Sequence, residues 1–172
     1  MNIVKKISNI ITTIVITITV ILAILLAGVR VVGLTPYTVL SGSMEPTYHV
    51  GAIIYVKDVN PRELKVNDPV TYTIEGGTVV THRIIEVIEE ENSLQFRTQG
   101  DANKMADGGL LPAGNILGQP VFSIPYLGYV ASVIRTKQGI VGIAGVCVIL
   151  VLITVIVETI GSLMKKEEEP KS

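Results

Sequence analysis

Ser41-Gly42-Ser43-Met44-Glu45-Pro46-Thr47 places two hydroxyls two positions apart, about a dozen residues beyond the end of a long apolar run. One hydroxyl can attack a peptide bond, and the second can help hold the oxyanion that results. Further along stand Thr81-His82-Arg83-Ile84 and Gln99-Gly100-Asp101-Ala102-Asn103, followed by Asp107. Ser, His and Asp in that order can supply a nucleophile, a base and a group that orients the base. A serine hydroxyl is a weak nucleophile at neutral pH and needs such a base. Imidazole suits the work because its ordinary pKa lies at about 6.5.

Each candidate also has a plainer explanation. The chain has 2 histidines. His49 lies in the turn-like run Thr47-Tyr48-His49-Val50-Gly51 and reads as a solvated loop residue. His82 lies in a β-branched run, where strict alternation puts it on one face with Ile84, Glu86 and Ile88, opposite Arg83, Ile85 and Val87. A histidine on a largely apolar face is either a satisfied core residue or a catalytic one. Asp101 and Asp107 are both placed to orient an imidazole, yet Gly-Asp-Ala-Asn and Ala-Asp-Gly-Gly are also good turn sequences. No His-x-x-x-His, paired Cys or carboxylate cluster has metal-ligand spacing, and no Gly-rich phosphate loop is present. No cofactor is expected.

These residues must be held by a domain of about a hundred residues set between two apolar runs. The chain has 172 residues, 48% of them hydrophobic, with a mean hydropathy of +0.54. Ile7 to Val29 carries no charge before Arg30, and Gly139 to Val157 carries none. Each is long enough to cross a hydrocarbon core of about 30 Å as a helix. The first run is too long for the apolar core of a cleaved signal peptide and lacks a clear Ala-x-Ala end, so it reads as an uncleaved anchor. Its threonines, 12, 13, 17 and 19, can bond back to helix carbonyls. Lys5 and Lys6 precede the first run, and Lys165 and Lys166 follow the second. Positive residues favour the cytoplasmic side, which puts both termini inside.

The expected organisation is a cytoplasmic N-terminus over 1–6, a span over 7–29, an extracytoplasmic β domain over 30–137, a second span over 138–160 and a charged cytoplasmic tail over 161–172. A multi-pass cell-membrane protein with its β domain outside follows. The net charge of −1 speaks against nucleic acid, and the single Cys147 excludes a disulfide within the chain. Between the spans, 52–57, 70–74, 78–88, 93–98 and 121–125 read as strands, with Glu75-Gly76-Gly77 as a hairpin turn. The fold class is mainly β: a compact antiparallel domain flanked by an N-terminal and a C-terminal transmembrane helix.

At these residues the chain resembles a type I signal peptidase, and more narrowly the endoplasmic-reticulum type found in eukaryotes, archaea and some Gram-positive bacteria. Five ordered stretches carry the likeness: 41–47, Gly51-Ala52-Ile53-Ile54, 81–84, 99–103 and Ile124-Pro125-Tyr126-Leu127-Gly128-Tyr129. The resemblance implies Ser43 as nucleophile, Ser41 with the Ser43 backbone N–H as oxyanion donors, and His82 where the usual bacterial branch has a Lys base. It implies Asp107 as the third triad member and Asp101 as a supporting acid. It further implies a serine endopeptidase that cuts signal peptides from exported preproteins after small residues at −1 and −3. The implied partners are those signal peptides, the lipid bilayer on which an apolar surface of the domain rests, and the protein translocation machinery. One departure is Asn67-Asp68-Pro69-Val70, where the family usually has Gly-Asp and then β-branched residues. Pro69 there suggests an edge strand or a strand start.

Two rival readings remain at this level. One is a catalytically silent, membrane-tethered β module that binds a partner in secretion. The other is a catalytically silent paralogue. A different hydrolase would need a Lys base and no membrane spans, and Lys57, Lys65 and Lys104 stand in no matching stretch.

Overall fold

The computed structural model describes residues 2–90 and 93–167, with the side chains of 2–5, 8, 143, 144, 147, 150, 158 and 160–167 left aside. Residues 91–92, the Cys147 side chain and the tail beyond 167 thus lie outside the described residues. The chain forms two compact units, residues 28–131 and residues 1–27 with 132–172.

The first unit holds all the described strands. They are β1 (Leu34–Thr38), β2 (Ile53–Lys57), β3 (Pro69–Thr73), β4 (Val79–Glu90), β5 (Ser93–Gln99), β6 (Leu111–Pro112) and β7 (Ile116–Ile124). They make one seven-stranded sheet in the order β1-β2-β7-β3-β4-β5-β6. All neighbouring pairs are antiparallel. The mainly antiparallel β domain is therefore as expected. Leu64, Val70, Tyr72, Ile84, Phe96 and Leu111 form its buried core cluster. Branched and aromatic side chains of this kind pack well on a pleated surface.

Two expectations about β4 and its neighbour are refined. Strict alternation along β4 fails at a bulge between Ile84 and Glu86. An extra residue shifts the pleat by one. Glu86 therefore turns outward to pair with Arg97 at 3.2 Å, and Val87 comes to lie opposite the buried Phe96. His82 and Ile84, ahead of the bulge, keep the shared buried face. Pro69 opens β3, which is an inner strand between β7 and β4, so the strand-start reading holds and the edge reading does not. Asn67 N–H donates to Ile84 O and Ile84 N–H to Asp68 O, extending the ladder past the proline. Asn67 has a φ of 80°, a left-handed conformation that asparagine tolerates better than most residues.

The second unit holds two long helices that pack on each other, α1 (Asn2–Leu26) and α3 (Lys137–Glu167). A short helix α2 (Leu127–Arg135) runs from the sheet unit into it. Among the described residues one stretch, Asn9–Leu26, is helical, long and apolar enough to cross a membrane. The helix ends short of the expected 29, where Gly28–Val32 tightens into a 3-10 turn. Thr13 and Thr19 donate to the carbonyls of Asn9 and Val15, four residues back, as expected of hydroxyls on an apolar helix. The expected second span, 138–160, is helical as part of α3.

Candidate active site

The loop after β1 carries the two serines, and three sets of contacts fix it. Met44 is 3% exposed and pins the loop to the domain. Glu45 N–H donates to Gly42 O, and Tyr48 N–H to Met44 O, curling the loop on itself. Ser43 O accepts from Ala102 N–H at 2.9 Å, which ties the serine to the turn after β5. Gly100 must be glycine for that approach, because a Cβ there would stand 2.6 Å from Ser43 O. At the loop's far end Gly51 has a φ of 82°, and a Cβ would strike the Tyr129 ring at 2.1 Å. Gly51 and Tyr129 belong to two of the five ordered stretches, and this contact explains their pairing.

His82 comes from the first half of β4, where it lies opposite Val70 of β3 and is 8% exposed. Its Nε2 lies 3.1 Å from Ser43 Oγ, and its Nδ1 lies 2.6 Å from Asp107 Oδ2. An ionised carboxylate only accepts hydrogen bonds, so Nδ1 carries the proton and Nε2 presents its lone pair to the Ser43 hydroxyl. Asp107 is held in turn. Its N–H donates to Thr98 O at 2.9 Å, and its Oδ2 accepts from Thr98 Oγ1 at 2.6 Å and from Tyr72 OH at 3.2 Å. Ser41 Oγ lies 3.3 Å from Ser43 Oγ and is exposed.

Asp101 does not touch His82. Arg83 grips it from Nε at 2.7 Å and Nη2 at 2.6 Å, and Thr47 Oγ1 donates to it at 2.5 Å. The Arg83 hydrogen bonds are the largest influence in holding the Asp101 carboxyl below its usual range, against the opposing effect of burial. Successive residues of a strand point to opposite faces. His82 and Arg83 thus deal the two acids to two sides, Asp107 to the imidazole and Asp101 to the guanidinium.

His49 is exposed and pairs with Glu45 at 2.5 Å. Lys57, Lys65 and Lys104 are exposed. Among the described residues no group of three His, Cys, Asp or Glu could hold a metal ion. Reading residues alone missed Thr98, Tyr72 and the bidentate role of Arg83. Thr98 and Tyr72 looked like ordinary strand residues, and only the 26-residue crossing that brings their hydroxyls to 3.1 Å reveals them.

Residues 10–95 match the family of signal peptidases, peptidase S26. The chain belongs to that family. It is 34% identical over 124 residues to signal peptidase I W of Bacillus subtilis strain 168, covering 67% of this chain and 65% of that protein. It is 30% identical over 125 residues to the signal peptidase complex catalytic subunit SEC11C of rat and of human, covering 65% of this chain and 65% of each relative. The match therefore spans just under two thirds of these relatives' length. For this signal peptidase family member, the family match takes in the serine loop and His82 but stops before Asp101 and Asp107. The division between the two acids rests on geometry.

Proposed function

We propose that this chain is a membrane-tethered serine endopeptidase that removes N-terminal signal peptides from exported preproteins, cutting after small residues at −1 and −3. The observation that carries the reading is the relay from Ser43 Oγ to His82 Nε2 at 3.1 Å and from His82 Nδ1 to Asp107 at 2.6 Å. Family membership and the names of the relatives supply the substrate class. The proposed tether comprises spans at 7–29 and 138–160, both termini in the cytoplasm and residues 30–137 outside. Signal peptides and the lipid bilayer are the proposed partners, with the translocation machinery close by.

In the proposed mechanism the Ser43 hydroxyl gives its proton to His82 Nε2 as Oγ attacks the carbonyl carbon at the cleavage site. Asp107 keeps the imidazole in the tautomer that can accept, and it stabilises the imidazolium that forms. The carbonyl oxygen becomes an oxyanion, for which Ser41 Oγ–H and the Ser43 N–H are the proposed donors. The intermediate collapses with breakage of the C–N bond, and His82 returns the proton to the leaving amine. Water, activated by the same imidazole, then hydrolyses the acyl-enzyme and frees Ser43. Asp101, tied to Arg83 and Thr47, supports the loop from outside the relay.

The test is cleavage of a purified preprotein by the full chain in detergent, with the cut mapped by mass spectrometry. Wild type cuts at the signal-peptide junction, and Ser43→Ala loses several orders of magnitude in turnover while remaining folded. Ser41→Ala loses about 10²–10³-fold. Full activity in folded Ser43→Ala would reject the assignment.

A further inference from the structure

Asp107 Oδ2 is crowded. Besides His82 Nδ1, it accepts from Thr98 Oγ1 at 2.6 Å and from Tyr72 OH at 3.2 Å. Both hydroxyl residues are more buried than the carboxylate they serve, with Thr98 3% and Tyr72 5% exposed against 24% for the Asp107 side chain. They come from two different strands, β5 and β3, and their own oxygens lie 3.1 Å apart. Thr98 has one hydroxyl proton, and the acceptor-only carboxylate takes it. The Thr98 oxygen then accepts from Tyr72, whose single proton lies between Thr98 and Asp107. Burial pushes the Tyr72 phenol up to about 12, so it stays protonated and remains a donor wherever the protein is folded at working pH.

This arrangement has a mechanical consequence. Asp107 sits in the loop after β5 and is the most exposed of the three groups at this junction. A carboxylate on a loop can turn about its own Cβ–Cγ bond or swing toward water. Two donors rooted in the strands on either side of β4 select one oxygen and one direction. The Thr98 backbone adds a third tie through Asp107 N–H to Thr98 O at 2.9 Å. The Tyr72 ring also meets the His82 ring edge-on, with centroids 6.4 Å apart, so it borders the imidazole that Asp107 orients.

We infer that Thr98 and Tyr72 are positioning residues for the proposed peptidase reaction, acting through Asp107 by presenting its Oδ2 to His82 Nδ1. The inference rests on the reading of Ser43, His82 and Asp107 as the reacting set. Thr98 carries more of the effect because its side-chain bond is the shorter, 2.6 Å against 3.2 Å.

The experiment measures kcat and KM on a quenched-fluorescence peptide with an Ala-x-Ala cleavage site, using full-length protein in detergent. The variants are Thr98→Val, Thr98→Ser, Tyr72→Phe, Asp107→Asn and the double variant Thr98→Val with Asp107→Asn. Circular dichroism checks that each is folded. Loss of one hydrogen bond to a charged group corresponds to roughly ten- to hundredfold in rate. Thr98→Val is expected to lower kcat by about that much with KM changed less than about twofold. Thr98→Ser keeps the hydroxyl and stays near wild type, and Tyr72→Phe loses less than Thr98→Val. In the Asp107→Asn background, Thr98→Val should cost nothing further, because the group it positions is already disabled. Unchanged kcat in folded Thr98→Val overturns the inference, as does the same fold loss in the Asp107→Asn background. If Thr98→Val does not fold, unchanged kcat in Tyr72→Phe together with poor rescue by Thr98→Ser overturns it. A wild-type protein that does not cut, or a fully active Asp107→Asn, instead removes the peptidase reading and this inference with it.

Discussion

Arg83 grips Asp101 through two parallel hydrogen bonds, from Nε at 2.7 Å and from Nη2 at 2.6 Å. That fork settles where each acid sits. A carboxylate engaged by both arms of a guanidinium, and by Thr47 as well, is not available to an imidazole on the other face of the strand. His82 is left with Asp107. One strand of alternating side chains thus serves two purposes: it aims the base at the serine, and it fastens the turn that holds the serine loop.

The two acids should therefore fail in different ways. Asp107→Asn is expected to lower kcat roughly 10³–10⁴-fold, because an amide no longer selects the reactive imidazole tautomer. Its thermal stability should change little by comparison. Asp101→Asn is expected to cost about 1–3 kcal/mol of stability through the lost charge-assisted bonds, with a smaller loss of turnover. Turnover and urea unfolding of both variants check this. A larger kcat loss in Asp101→Asn than in Asp107→Asn would mean the orienting acid has been assigned wrongly.

The same ion pair predicts a pH dependence of stability. Hydrogen bonding by Arg83 lowers the Asp101 carboxyl from its ordinary value of 3.8. The folded state then binds fewer protons than the unfolded state in the range between the two pKa values. Its stabilisation is complete above the unfolded value and is lost as pH falls through the lower folded one. The difference in stability between wild type and Asp101→Asn should be constant near neutrality and shrink below about pH 4. Urea titrations followed by circular dichroism at several pH values measure it. A difference that grows on acidification contradicts the assignment of the pair.

Much of this arrangement could be read from residues, and what could not has specific causes. Four β-branched runs at 52–57, 70–74, 78–88 and 93–98 correspond to β2, β3, β4 and β5 within a residue or two at most ends. β1 was hidden by Pro36, which is tolerated because β1 is an edge strand. The first half of β7 was hidden by Gly118 and Pro120, which lie at its irregularities: the register shifts between Thr71 and Tyr72 on the β3 side and between Tyr55 and Val56 on the β2 side. Ser43, His82 and Asp107 were legible as types in order, and the structure brings them together. The choice between Asp101 and Asp107 was not settled by residue type, since both stand in turns. Only the opposite faces of His82 and Arg83 separate them. Thr98 and Tyr72 carried no local signal, because their link to Asp107 depends on strand pairing.

The proposed topology makes a prediction that needs no enzyme assay. With Cys147 replaced by Ser, a single cysteine is introduced by Glu90→Cys or by Ser172→Cys. A membrane-impermeant thiol reagent applied to intact cells should label Glu90→Cys and spare Ser172→Cys until the membrane is opened. Positive residues at both ends of the chain and the two proposed spans together require this pattern. Labelling of Ser172→Cys in sealed cells would refute it.

Gly100 supplies a test of how closely the serine must be held. A methyl group there would stand 2.6 Å from Ser43 O and 2.8 Å from Asn103 Nδ2. The Asn103 side chain can swing away, but Ser43 O is backbone and is already bound to Ala102 N–H at 2.9 Å. Relief therefore requires the Ser43 backbone to move, which carries Oγ away from the 3.1 Å contact with His82 Nε2. A displacement of about 1 Å at a reacting atom is worth on the order of 10² in rate. Gly100→Ala should lose about that much in kcat while Gly114→Ala, whose added methyl meets nothing within 4 Å, keeps wild-type turnover. Gly100→Ala with undiminished kcat would show that the Ser43 loop is not held from the turn after β5.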